Sequence, residues 1–231
     1  MIFFFPFNQK TGNFGKYLCY FITMVNKTIL LSTAYLPPID YFRWLVPGND
    51  YLIEAHETYA KQSYRNRCYI YSANGKLPLI IPVIKVNGSQ TKTKDIAISY
   101  REKWQKNHWR AITSAYNSSP FFLYYQDNFK SFYQQNIPLL MDFNQMLLNK
   151  VLEMIGITAT IRFTESYIKT PTNLIDQRAV FDPKRENSFS YKPYIQVFSN
   201  KSGFIPGLSI IDLLFNLGPE TRSYLTTTEE K

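Results

Sequence analysis

The feature that most constrains this chain is a change of hydrophobic period along its length. Early on, apolar residues come in short runs with β-branched members: Thr28 to Ala34, Tyr51 to Ala55, Arg67 to Ser72 and Leu77 to Val83. Runs this short, bounded by turn residues, read as strands. From Trp104 onward the spacing becomes helical: Trp104, His108, Ile112 and Ala115, then Leu140, Phe143, Leu147, Val151 and Met154. Residues three and four apart share one helix face and bury it together. Strand and helix patterns alternate at both ends, with a hairpin between them. The fold class expected is therefore α/β, a mixed β-sheet with helices packed on it in a single domain, rather than a pure βαβ array.

Punctuation residues refine the elements. Asn74-Gly75 joins two strand-like runs and predicts a tight hairpin turn with positive φ at both central positions. Ile39, Phe42 and Val46 predict a short helix stopped by Pro47-Gly48. Asp95 to Ile98 and Ala159 to Phe163 read as strands. Two segments, Ser99 to Glu102 and Ser209 to Asp212, have the form of capping boxes that open the helices after them. Gly156 and Gly218-Pro219 read as helix ends. Thr170 to Pro193, with three prolines among polar residues, reads as a loop, and Tyr194 to Phe198 as a strand. Residues 1–23 lack either period and precede Met24, so they are expected to be an extension outside the core, with the domain running over 24–231.

At 231 residues the chain is long enough to bury one sizeable core, and 45% hydrophobic with 19% charged residues is ordinary globular composition. Cys19 and Cys68 are the only cysteines and neither has a CxxC partner, which points to a reducing, cytoplasmic setting. With His56 and His108 the only histidines, neither a thiolate nor a His-rich metal site is supported. The apolar run from Tyr17 to Val25 is too short to span a bilayer. No GxGxxG or GxxxxGK[ST] occurs, so neither a dinucleotide fold nor a P-loop has support, and no cofactor can be named.

Charge is the stronger functional signal. The net charge is +9, and residues 61–110 hold eleven Lys and Arg against Asp95 and Glu102, so that stretch carries the whole excess. It suits a phosphate- or carboxylate-bearing small molecule, with nucleic acid the lesser reading and a solvated basic face the plain one. Arg65 and Arg67 flank Asn66, and their guanidiniums suit forked binding of a diphosphate or carboxylate, with Lys61 adding a point charge. Pairing of those arginines with Glu54, Glu57 or Asp40 is the structural alternative. His108 is the candidate base, against a hydrogen-bonded core histidine. Tyr35 to Asp40 follows the first strand, where open α/β sheets present ligands, so Tyr35 is a binding candidate and Asp40 or Glu54 an acid or base. Asp212 reads as a helix cap.

Three blocks together resemble the WbqC-like family of bacterial polysaccharide gene clusters. They are Tyr35-Leu-Pro-Pro-Ile-Asp-Tyr-Phe42 with Lys61-Gln-Ser-Tyr-Arg-Asn-Arg67, then Trp104-Gln-Lys-Asn-His108 with Ser119-Pro-Phe-Phe122, and Phe204-Ile-Pro-Gly-Leu-Ser-Ile-Ile-Asp212 continuing to Glu220. The resemblance implies a protein of O-antigen or capsule assembly that transfers an acyl or aminoacyl group, such as glycine, onto a sugar intermediate. The competing expectation is a non-catalytic protein that binds nucleotides or nucleic acid through its basic face.

Overall fold

The structure is a computed structural model that describes residues 27–45, 49–180, 183 and 191–227. The expected extension over 1–23 and the helix stop at Val46, Pro47 and Gly48 lie outside them. Four short strands form a wholly parallel sheet: β1 (Thr28–Leu31), β2 (Asp50–Ile53), β7 (Thr160–Phe163) and β8 (Leu174–Asp176), in the order β7-β2-β1-β8. β1 is central, in register with Asp50–Ile53 on one side and Leu174–Asp176 on the other. Its sequence Thr-Ile-Leu-Leu is apolar on both faces, as a strand covered on both sides requires. Parallel and antiparallel pairing are kept apart: β3 (Arg67–Ser72) pairs antiparallel with β4 (Gly75–Ile80), and β5 (Val83–Lys85) with β6 (Ile96–Ile98).

The helices are α1 (Ile39–Arg43), α2 (Trp104–Tyr116), α3 (Phe122–Lys130), α4 (Leu140–Ile155), α5 (Ser199–Ser202), α6 (Ile210–Leu217) and α7 (Thr221–Thr227). α2 buries Trp104, His108, Ile112, Ala115 and Tyr116, and α4 buries Leu140, Phe143, Leu147 and Val151, the stripes their spacing demands. Gly156 ends α4 with φ +74°, and the Ile157 N–H donates back to the Leu152 carbonyl at 2.9 Å. That is the left-handed cap a side chain resists.

Several local expectations are corrected. At the β3–β4 hairpin only Gly75 takes positive φ (+92°), while Asn74 does not. The Ser99 box caps nothing: α2 starts at Trp104, because Ser99 donates its N–H to the Pro82 carbonyl and Tyr100 spends its hydroxyl on the Ile137 backbone. Ser209 does precede α6, but its hydroxyl makes no cap bond, and the Asp212 carboxylate turns inward. The Thr170–Pro193 segment contains β8, whose three residues are too few to show a period and owe their conformation to β1. Tyr194 to Phe198 is not a strand, since Gln196 is drawn inward to bracket Ile205 through both its amide groups. Gly218 does end α6, yet the chain restarts at once as α7.

Candidate functional site

All four parallel strands end at one edge of the sheet. From β1 the chain passes to β2 on one side, whereas β8, reached from β7, lies on the other. Open α/β sheets form ligand crevices at the carboxyl ends of such strands. The first residues past each strand are polar here: Ser32 and Thr33 after β1, Glu54 to Glu57 after β2, Thr164 after β7, and Gln177 and Arg178 after β8.

Glu54 is fully buried at the middle of this edge. One carboxylate oxygen accepts the Thr164 hydroxyl at 2.7 Å and the His56 N–H at 2.9 Å. The other accepts the Ile168 N–H at 3.0 Å and Arg178 Nη1 at 3.2 Å. Arg178 is itself forked onto Asp176 at 2.9 and 2.7 Å, and these bonds hold the Asp176 carboxyl below its ordinary range. With four donors in place, Glu54 ties the loops after β2, β7 and β8 into one piece.

A second ion pair lies beside it. Arg65 donates from Nε and Nη2 to the two oxygens of Glu57 at 2.8 and 2.6 Å, and from Nη2 to the Ser32 hydroxyl at 2.8 Å. The guanidinium is thereby held on one side, while its Nη1 bonds to no described residue. Asn144 of α4 fixes the backbone underneath, donating to the Arg65 carbonyl at 2.8 Å and to the Thr33 hydroxyl at 3.1 Å. Its own Oδ1 is buried with no hydrogen-bond partner.

His108 is placed elsewhere. It is 6% exposed, with Nδ1 3.0 Å from the Tyr35 hydroxyl, which lies 2.7 Å from that of Tyr133. Trp104 packs edge-on at 5.1 Å between centroids. Burial lowers the His108 pKa to about 4, against a hydrogen bond to the Ile80 backbone that pulls the other way. Burial, and neither Arg65 nor Arg67, is the cause. The structure does not bring His108 to those side chains: alternation along β3 turns Arg67 and Tyr69 to one face and Cys68 to the other, and Cys68 lies against the Tyr35–Tyr133 pair.

Of the remaining candidates, Asn66 closes the open end of the hairpin, donating to the Ile81 carbonyl at 2.8 Å. Asp40 is buried, accepts a hydrogen bond from Tyr191 and lies 3.9 Å from Arg43. Lys61 is exposed. Among the described residues the Arg67 side chain hydrogen-bonds only to the Tyr69 hydroxyl, at 3.3 Å. Glu57, Asn144, Thr164 and Arg178 were missed as site residues, because nothing local marks them: they meet only through strand pairing distant in sequence. Asp212 was misread altogether. It is buried, accepts hydrogen bonds from Tyr116, Tyr194 and Gln196, and burial lifts its pKa to about 6 against those three donors. No group of three or more potential metal ligands occurs among the described residues, and none of their helices is long and apolar enough to cross a membrane.

Comparison with known proteins agrees with the resemblance seen in the motifs. Rv1507c of Mycobacterium tuberculosis (strain ATCC 25618 / H37Rv), itself uncharacterized, is 26% identical over 231 residues, covering 87% of this chain and 98% of that protein. No solved structure matches. The WbqC-like protein family matches residues 33–185, which takes in the first two motif blocks and, Ser32 apart, the Glu54–Arg65 edge, but not the block from Phe204 to Glu220. The chain spans most of one relative and carries the family's match over well more than half its length: it belongs to the WbqC-like protein family.

Proposed function

We propose that this protein is a group transferase of bacterial surface-polysaccharide assembly, acting on an activated sugar or an acyl or aminoacyl (glycine-like) intermediate at the carboxyl edge of the parallel sheet. The observation that carries the reading is Arg65, set by Glu57 and Ser32 on one side and, among the described residues, unbonded at Nη1 on the other. A guanidinium already oriented loses little further freedom when it takes up a phosphate or carboxylate oxygen. Lys61, exposed in the turn before it, adds positive charge at the rim. Glu54 and Asp40, both engaged by neighbouring groups, position the loops. His108, neutral and enclosed with Tyr35 and Trp104, acts as a buried packing group. Proton transfer then falls to a group at the edge itself, and His56, half-buried between Glu54 and Glu57, is the imidazole placed there.

The second reading, a non-catalytic binding protein, rests on the outer face of α2, where Lys106, Trp109 and Arg110 line a shallow hollow of about 450 Å³. A thermal-shift screen of nucleotide sugars and acyl or aminoacyl donors separates the two, since a ligand that prefers the folded state raises its melting temperature. The transferase reading expects one donor class to raise it and Arg65→Lys to abolish the rise. It also expects His56→Ala to keep the rise and lose turnover. A rise that survives Arg65→Lys but vanishes with Arg110→Ala would move the site to α2.

A further inference from the structure

We infer that the outer face of the β3–β4 hairpin is a binding site for a nucleoside diphosphate, the activating half of a nucleotide-linked donor. Register and alternation put Arg67, Tyr69, Tyr71, Lys76, Pro78 and Ile80 on this one face, of which Tyr71 is buried, its hydroxyl donating to the Phe198 and Gly203 carbonyls, and the rest form the open part. Lys76 Nζ sits 4.3 Å from the centre of the Tyr69 ring, and Arg67 Nη1 touches the Tyr69 hydroxyl at 3.3 Å. Next to them, Lys85 Nζ lies 5.1 Å from the centre of the Tyr59 ring, and Tyr59 feels the charge of both Arg65 and Arg67.

Three cations are thus interleaved with two tyrosine rings, and among the described residues Arg67, Lys76 and Lys85 have no carboxylate within ion-pair distance. Arg67 Nε is also buried without a hydrogen-bond partner. Elsewhere on this chain buried or half-buried arginines are paired, Arg65 with Glu57 and Arg178 with Glu54 and Asp176. Here the compensating negative charge has to come from outside. Cations beside aromatic rings match a ligand that carries phosphates and a flat base together.

The contact between Lys76 and Tyr69 gives the site a way to open. Its ammonium rests on the ring face that a base would stack on, and a weak cation–π contact is readily exchanged for a phosphate oxygen. A diphosphate draws Lys76 off the ring and so exposes the stacking face. Phosphate and base binding are therefore coupled: a nucleoside diphosphate binds more tightly than its two parts would suggest. Since Tyr59 lies within the influence of both Arg65 and Arg67, the diphosphate end points toward the carboxyl edge of the parallel sheet. This assignment rests on the proposed transferase reading for its purpose, though not for its geometry.

The test is calorimetric titration of the full chain with uridine diphosphate, adenosine diphosphate, uridine, inorganic pyrophosphate and a thymidine 12-mer. Both nucleoside diphosphates are expected to bind, and uridine alone is not. Lys76→Gln, at an exposed position, and Tyr69→Leu should each weaken uridine diphosphate about ten-fold, while pyrophosphate is weakened by Lys76→Gln and Arg67→Gln but not by Tyr69→Leu. Tyr69→Phe, which keeps the ring, should bind like the parent, and its melting temperature controls for folding. Absence of nucleoside diphosphate binding, or binding indifferent to Lys76→Gln and Arg67→Gln, would overturn the site. So would 12-mer binding that exceeds nucleotide binding and depends on the same residues, which would make it a nucleic-acid surface. A donor that binds through Arg65 while uridine diphosphate does not bind would leave the transferase reading standing and sink this one alone. Uridine diphosphate bound through Lys76 with no Arg65-dependent donor would do the reverse.

Discussion

At the residue scale the molecule sets two buried titrations against each other. The folded-state pKa of Asp212 is raised to about 6 from 3.8, so its stabilising contribution is complete below the unfolded value and is lost as pH rises through about 6. That of His108 is lowered from 6.5 to about 4, so its contribution is complete above the unfolded value and is lost as pH falls through about 4. Each shift corresponds to roughly 3 kcal/mol, and between pH 4 and 6 the slopes have opposite sign. Unfolding free energy in urea should therefore be nearly flat across that window. Asp212→Asn should leave a slope rising with pH, His108→Gln one that falls, and a variant slope of the wrong sign would refute the assignment. Glu57→Gln, which strips Arg65 of its counter-charge, should cost about 3–5 kcal/mol, read by the same unfolding curves. The sequence separated these residues poorly for one reason. Arg65 could be named because charge density marks it, yet its choice of Glu57 over Glu54 or Asp40 depends on where three loops come to rest. Asp212 was misassigned because Ser209 lies at cap spacing, and only the approach of Tyr116 and Tyr194 draws the carboxylate away.

At the scale of elements, legibility followed length. α4 was readable to within a residue, since sixteen residues repeat the period and Gly156 closes it. β3 was readable in full, but β8, with three residues, was not. α6 lay between: its apolar run was legible, its cap was not, and the helix beyond Gly218 was hidden by the expectation that Gly-Pro stops the chain. Within the block from Phe204 to Glu220, Leu213, Leu214 and Phe215 are fully buried, and Phe122 packs edge-on against Phe215 at 5.2 Å. Leu213→Ala should accordingly cost about 2–5 kcal/mol in thermal or urea unfolding. Donor binding at Arg65 should survive wherever the variant remains folded; a neutral substitution that loses binding would put this helix in the site instead.

For the whole molecule, periodicity made the α/β class legible but not which strands pair, because β1 takes its neighbours from Asp50–Ile53 and from Leu174–Asp176, one near in sequence and one far. Arg178 is the side chain that fastens the distant strand to the loop after β2. Arg178→Ala should destabilise the protein by about 3–5 kcal/mol, because Glu54 stays buried without its cation. Adding Glu54→Gln should recover part of that loss, and strictly additive effects would show that the two do not act as a pair. The same linkage has a consequence during synthesis. A nascent chain that has emerged only as far as α4 already has β1, β2 and Glu54, yet neither the strand nor the guanidinium that completes them. Until residue 178 clears the ribosome, the central strand keeps an open edge and Glu54 lacks its counter-charge, so a prematurely terminated product presents an unpaired strand to chaperones and proteases.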